Sequence, residues 1–256
     1  MTDDKRREAL RYNSASERVL SCHAWGDLPV GKKSVPDYLK EPYEKFESEV
    51  LRHITSFRGR PRVLELCAGT GNFSAIPIKG GAVVTASDIA ESALNVLEAR
   101  YHTCGDLTVA VADIEGTGFA CNTFDLVMCA GGLSYGDNQL VLDEVFRLLK
   151  PGGFFICVDS LNHNPIYRLN RYFHFVRGNR TASTLLRMPS VGLIDAYRAR
   201  FGTLDVWYFG CISWATPLVS RFVGDASAYR LSKWVDRFIN VKSSAFKFVM
   251  TAKKSK

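Results

Sequence analysis

The 256-residue chain is 46% hydrophobic and carries a net charge of +7. That is enough apolar material for a sizeable α/β core, yet no run approaches the 18 apolar residues of a membrane-spanning helix, so a soluble cytoplasmic protein without a secretory leader is expected. Seven cysteines, an odd number with no CxxC pair, speak against a disulfide framework and against a zinc site, and no metal is expected.

The charge is unevenly spread. Residues 1–160 hold 17 Lys and Arg against 22 Asp and Glu, whereas residues 161–256 hold 16 basic residues against 4 acidic ones. The two parts therefore differ in sign, −5 against +12, and the basic character belongs to the C-terminal part.

In chain order, residues 1–20 are charged with scattered apolar positions and read as a marginal helix or mobile arm, broken at His23-Ala24-Trp25-Gly26. A helix starts at Glu41-Pro42, with Tyr43, Phe46, Val50, Leu51, Ile54 and Phe57 on one face and Gly59 and Pro61 as stop signals. Val63-Leu64-Glu65-Leu66 is an apolar strand that runs into a turn containing Gly69 and Gly71, with Ser74 as a further small residue. Such a strand-to-glycine turn brings backbone close to a nucleotide-like ligand. Glu65 at its mouth repels phosphate and attracts an ammonium group.

Ala82–Asp88 is a second strand, and Asp88 at its end can accept from both hydroxyls of a ribose, with Ile89 as an apolar surface for a base. Ser92–Tyr101 is an amphipathic helix, and Leu107–Ile114 is a third strand closing on Asp113. Three strands that each end in an acid suit a cationic nucleoside and discourage a pyrophosphate. Phe124–Ala130 is the fourth strand, leading to Gly131-Gly132. Asn138–Lys150 is a helix stopped by Pro151-Gly152-Gly153, and Phe154–Asp159 is the fifth strand.

Val63–Ser74, with Cys67 in place of the usual first glycine, and the phrase Leu148-Leu-Lys-Pro-Gly-Gly-Phe154 resemble the class I S-adenosylmethionine (SAM)-dependent methyltransferases over roughly residues 40–160. The resemblance implies an α/β fold, a seven-stranded Rossmann-like sheet with helices on both faces. Residues 1–60 form a helical cap, 61–160 the SAM-binding core and 161–256 the substrate side of one domain. It implies SAM as cofactor and S-adenosylhomocysteine as product. Glu65 and the glycine loop with Gly69 and Gly71 would hold the methionine end, Asp88 the ribose, and Ile89 and Asp113 the adenine, with Ala68, Ile114 and Cys129 also at the cofactor. A lid of Tyr12, His23 and Trp25 would cover the pocket, with Trp25 and Tyr135 on the acceptor. The Asp/Asn-Pro-Pro-Tyr/Phe motif of nucleobase and glutamine methyltransferases is replaced by Gly131-Gly132-Leu133-Ser134-Tyr135, so DNA is not an expected partner.

Ser160–Pro165 follows the fifth strand at the edge where open α/β sheets bind ligands. An alcohol barely ionises at neutral pH, so the His163 imidazole is a candidate base, with Asp159 orienting it or serving as base itself. Residues 165–177 set Ile166, Leu169, Phe173 and Val176 on one helical stripe and Arg168 and Arg171 opposite, followed by Arg177, Arg180 and Arg187. This basic, aromatic segment suits phosphate groups of a substrate, an anionic membrane surface or, less well, RNA; a lid helix with a solvated basic side reads equally well. Val191–Phe201 is a helix, Leu204–Ile212 and Phe246–Lys253 are the last strands, and Pro217–Val223 and Leu231–Ile239 are short helices that cover substrate or form a dimer contact. The segments around Asn164 and Arg187-Met-Pro look like methyltransferases of bacterial surface polysaccharides. The expected activity is methyl transfer to a hydroxyl of a small molecule, such as a sugar or a phosphate-bearing or lipid-linked saccharide. Alternatives are N- or C-methylation of an amine or quinone-like ring and a SAM-regulated RNA-binding protein; Glu65 and Asp113 disfavour a nicotinamide oxidoreductase.

Overall fold

Strands covered on both faces must be apolar at consecutive positions, with alternate residues serving opposite cores. The computed structural model, which describes residues 3–35, 40–176, 181–211, 216–238, 242 and 244–255, has that arrangement. Its strands are β1 (Arg62–Leu66), β2 (Val83–Asp88), β3 (Leu107–Val111), β4 (Phe124–Ala130), β5 (Leu149–Ser160), β6 (Thr203–Phe209) and β7 (Lys247–Lys253). Leu64, Val127, Cys129, Phe155 and Cys157 enter one core, while Val63, Leu126, Met128, Ile156 and Val158 enter the other.

The described helices are α1 (Asp3–Ser21), α2 (Lys40–Ile54), α3 (Ala75–Lys79), α4 (Glu91–Tyr101), α5 (Asn138–Leu148), α6 (Pro165–Val176), α7 (Ala182–Leu186), α8 (Val191–Phe201), α9 (Thr216–Val223) and α10 (Asp225–Phe238). On the first core lie Val141 and Val145 of α5 with Tyr197 and Phe201 of α8; on the second lie Phe46, Val50 and Ile54 of α2. Among the described residues no helix is long and apolar enough to cross a membrane.

The strand order is β3-β2-β1-β4-β5-β7-β6, parallel except for β7. The order reverses between β1 and β4, which opens a crevice at their carboxyl ends. This is the seven-stranded Rossmann-like α/β sheet that the sequence leads one to expect.

Two local readings change. Pro151-Gly152-Gly153 does not precede a separate strand: β5 already pairs with β4 at Leu149 opposite Phe124, and pairing resumes at Phe154 opposite Leu126. Residues 150–153 bulge out of the ladder, with Gly152 at φ +80°, a conformation that glycine adopts at no steric cost. The N-terminal arm is an ordered helix docked on α4, since the Ser92 N–H donates to Asn13 Oδ1 at 3.0 Å and the Ser92 hydroxyl to Glu17 at 3.2 Å.

Candidate active site

The turn after β1 is shaped for close approach. Cys67, Gly69 and Gly71 all have positive φ, 54°, 53° and 80°. A Cβ on Gly71 would meet Leu97 Cγ at 2.8 Å and Tyr101 Cε2 at 2.9 Å, so this glycine lets the turn pack on α4. A Cβ on Gly69 would meet nothing within 4 Å; this residue lines a cavity and its N–H donates to Asp88 Oδ2 at 2.9 Å. Arg100 of α4 fastens the turn by donating to the Thr70 carbonyl at 2.5 Å and to the Leu28 carbonyl at 3.0 Å.

The cavity lies at the carboxyl ends of β1 to β4, encloses about 150 Å³, and is bounded by Gly69, Asp88, Ile89, Asp113, Ile114 and Tyr135 together with residues of α1 and α7. Asp88 accepts from Gly69 N and, through Oδ1, from Ala90 N at 2.9 Å. Burial raises its carboxyl, and these backbone donors counter the rise. Lys5 of α1, itself buried, donates to both carboxylate oxygens of Asp113 at 2.7 Å and pairs with Glu115 at 2.6 Å. Tyr12, two turns along α1, places its hydroxyl 2.6 Å from that of Tyr135 with the rings edge to face. Glu8 between them also lines the cavity and pairs with Arg11 at 2.7 Å.

Several expected site residues lie elsewhere. Glu65 shares the α2/α3 face of β1 with Val63 and is 2% exposed, receiving the Ser74 hydroxyl at 2.5 Å behind the glycine turn. Burial lifts its carboxyl to about 8, the Ser74 bond working against the rise. Ala68 continues the β1 to β2 pairing through Ser87 O at 2.9 Å, and Cys129 is fully buried in the core. A Cβ on Gly132 would come within 2.8 Å of the sulfurs of both Cys67 and Cys129, so this glycine lets the β4 loop close over them. Asp159 is buried and holds that loop, accepting from Leu133 N at 3.0 Å and Ser160 N at 2.6 Å. Desolvation lifts its carboxyl to about 6 against the attraction of Lys247.

His163 is exposed, accepts the Val191 N–H on Nε2 at 2.8 Å, and does not line the cavity. The expected contact between His163 and Asp159 is therefore replaced by separate backbone partners. Arg171 is also not on a solvated face; it is 7% exposed, donates to the Leu161 carbonyl at 2.9 Å and lies over the Phe246 ring. Arg168 is exposed beside a separate groove between α6 and α7. His23 is exposed. The Trp25 side chain, like Arg177 and Arg180, lies outside the described residues.

A family model described as a methyltransferase domain matches residues 63–153, the segment from β1 into the bulge of β5 that carries the glycine turn and the three acids. Residues 63–153 thus carry a methyltransferase domain, and the fold is that of the class I SAM-dependent methyltransferases. An uncharacterized protein of Mycobacterium tuberculosis is 29% identical over 197 residues, 71% of each chain. The demethylmenaquinone methyltransferase of Clavibacter sepedonicus is 38% identical over 111 residues, 42% of this chain and 44% of that one. Among solved structures, phosphoethanolamine N-methyltransferase 2 of Haemonchus contortus with phosphomonomethylethanolamine and S-adenosylhomocysteine superimposes with a TM-score of 0.59 at 17% identity. The chain covers 53% of that enzyme, and 83% of this chain is matched.

The cofactor of the methyltransferase is SAM, and the cavity residues fit it. A carboxylate has about four acceptor positions, so Asp88 keeps room for ribose hydroxyls after its two backbone bonds. Ile89 and Ile114 offer apolar surface, and Asp113 offers an acceptor once Lys5 is displaced. Lys5 and Glu8 escape a reading of the sequence because nothing local to α1 signals that it lies over the strand ends; the Lys5 partner Asp113 is 108 residues away.

Proposed function

We propose that the methyltransferase transfers a methyl group from SAM to a hydroxyl of a small molecule, seated against the paired phenols of Tyr12 and Tyr135. The 2.6 Å hydroxyl pair at the wall of the cofactor cavity carries this reading. SAM supplies an electrophilic methyl group; the part left to the chain is to align the acceptor and keep out water. Burial raises the Tyr135 phenol, so Tyr135 stays protonated and works by hydrogen bonding. With His163 outside the cavity and Asp159 engaged by Leu133, a phenolic hydroxyl, more acidic than a sugar alcohol, suits the site better than the saccharide expected from the sequence.

A shift of α1 widens the site for SAM. The space of about 150 Å³ beneath it is below the ~300–1,000 Å³ of usual ligand clefts, and Lys5 holds the carboxylates. Lifting α1 frees both.

A second reading, C-methylation of a quinone-like ring, is favoured by the likeness to the demethylmenaquinone methyltransferase. Incubation with methyl-labelled SAM and a panel of phenols, quinols, sugars and amines, with the product position read by NMR, separates the two. An O-methyl ether supports the first and a ring methyl the second. Methylation of amines alone overturns both.

A further inference from the structure

The strands place three helices at one edge. Ser160 at the end of β5 and Phe209 at the end of β6 both pair with Lys247 at the start of β7. The chain therefore leaves for α6, and for the α9 to α10 connection, from the edge that holds the cavity. The two segments also meet: the Asn164 amide donates to the Ser244 carbonyl at 3.0 Å and the Tyr167 ring stacks on Phe246 at 3.9 Å.

A helix lying on a protein buries its apolar stripe and shows water its polar side. Here the reverse holds. Leu169, Tyr172, Phe173 and Val176, at i, i+3, i+4 and i+7 of α6, are all more than half exposed. Leu231, Trp234 and Phe238 form an equivalent stripe on α10, while Leu186 and Phe222 are 84% and 83% exposed. Arg168 on α6, Arg221 on α9 and Arg230 on α10 are exposed on the same helices, as is Lys242 beyond α10. Apolar surface of this extent marks an interaction face.

We propose that α6, α9 and α10 form a docking surface for an anionic lipid bilayer, which seats the cofactor cavity at the lipid boundary. Aromatic and aliphatic side chains beside basic ones match the interface of such a bilayer, where apolar groups enter the acyl boundary and Arg and Lys meet lipid phosphates. Charge argues against a second copy of this chain, because each face belongs to a part with net charge +12. The aliphatic residues Leu169, Val176 and Leu186 argue against RNA, which is met by aromatic stacking and polar contacts. This inference deepens the proposed function only in the source of the acceptor. Its test therefore reads lipid binding without SAM or methyl transfer.

The full chain is sedimented with phosphatidylcholine vesicles with and without phosphatidylglycerol. Quenching of Trp234 by brominated lipids is followed in parallel, with Trp234→Phe as the blank. Binding that requires phosphatidylglycerol, quenching that exceeds that of the three tryptophans left in the blank, and a roughly tenfold loss on Phe222→Ser are expected. Arg168→Gln, Arg221→Gln and Arg230→Gln should each cost about fivefold and flatten the salt dependence. Melting curves of the variants should match the wild type, and the quenching is read on the unmutated protein, so a misfolded variant leaves the test intact. No vesicle binding, binding unchanged in the variants, or the same residues driving dimerisation or RNA retention overturns the proposal.

Discussion

The acidic and basic parts of this chain solve opposite problems. Around the crevice, Asp88 and Asp113 hold negative charge at strand ends and keep it in place with backbone N–H groups, Lys5 and a helix laid across them. On α6, α9 and α10, exposed positive charge and apolar side chains stand together with no such covering among the described residues. Polar groups with internal partners describe a site for a small cation-bearing ligand, whereas uncovered apolar stripes describe a surface awaiting a large partner. One sheet edge thus serves two kinds of recognition, and the cofactor chemistry and the choice of acceptor reside in different parts of the sequence.

The largest effect should come from the first part. Asp88→Ala removes the ribose acceptor and the partner of Gly69 and Ala90, and charged hydrogen bonds are worth ~1.5–3 kcal/mol each. SAM affinity measured by calorimetry should fall roughly 100-fold or more; an unchanged Kd would break the assignment of the acid-lined cavity. Next is Glu65, whose folded carboxyl stays protonated up to about 8. The native state then binds a proton that the unfolded state has released, so Glu65 lowers stability progressively as pH rises from the ordinary carboxylate range to about 8. Glu65→Gln, free of that titration, should become progressively more stable than wild type as pH rises to 8, with the two converging near pH 4 in urea unfolding. A constant difference would show that Glu65 is already ionised.

Smaller effects probe where the two parts meet. Tyr135→Phe should lower kcat/KM about tenfold while SAM affinity stays within about twofold. A fall in SAM affinity would move Tyr135 to the cofactor side. Lys5→Ala should tighten S-adenosylhomocysteine about threefold by freeing Asp113. Weaker binding in stopped-flow would make Lys5 part of the cofactor site rather than its latch.

The strands, the acids Asp88 and Asp113 and the helix α2 were legible because two-sided burial and helical period leave local marks. Pro151-Gly152-Gly153 carries the same mark for a helix stop and for a bulge, and only the partners Phe124 and Leu126 distinguish them. Glu65 reads as facing a ligand until α3 is placed, since the sequence does not say which face of β1 will receive Ser74. His163 and Arg171 failed for a related reason: polar side chains near a sheet edge answer to whichever backbone comes closest, Val191 N–H and Leu161 carbonyl here. On α6, Leu169, Phe173 and Val176 share the stripe read from the sequence, while the Ile166 side chain lies outside the described residues, and among the described residues nothing covers that stripe.

Lys5, Glu8 and Tyr12 share one face of α1, a single helix of 19 residues. Under the proposed reading, lifting Lys5 from Asp113 also parts Tyr12 from Tyr135, so the acceptor seat does not exist while the helix stands open. It exists when α1 lies across the crevice, as it does here. Cofactor exchange and acceptor binding then belong to opposite positions of one helix, so acceptor held against Tyr12 and Tyr135 slows the exchange of the cofactor.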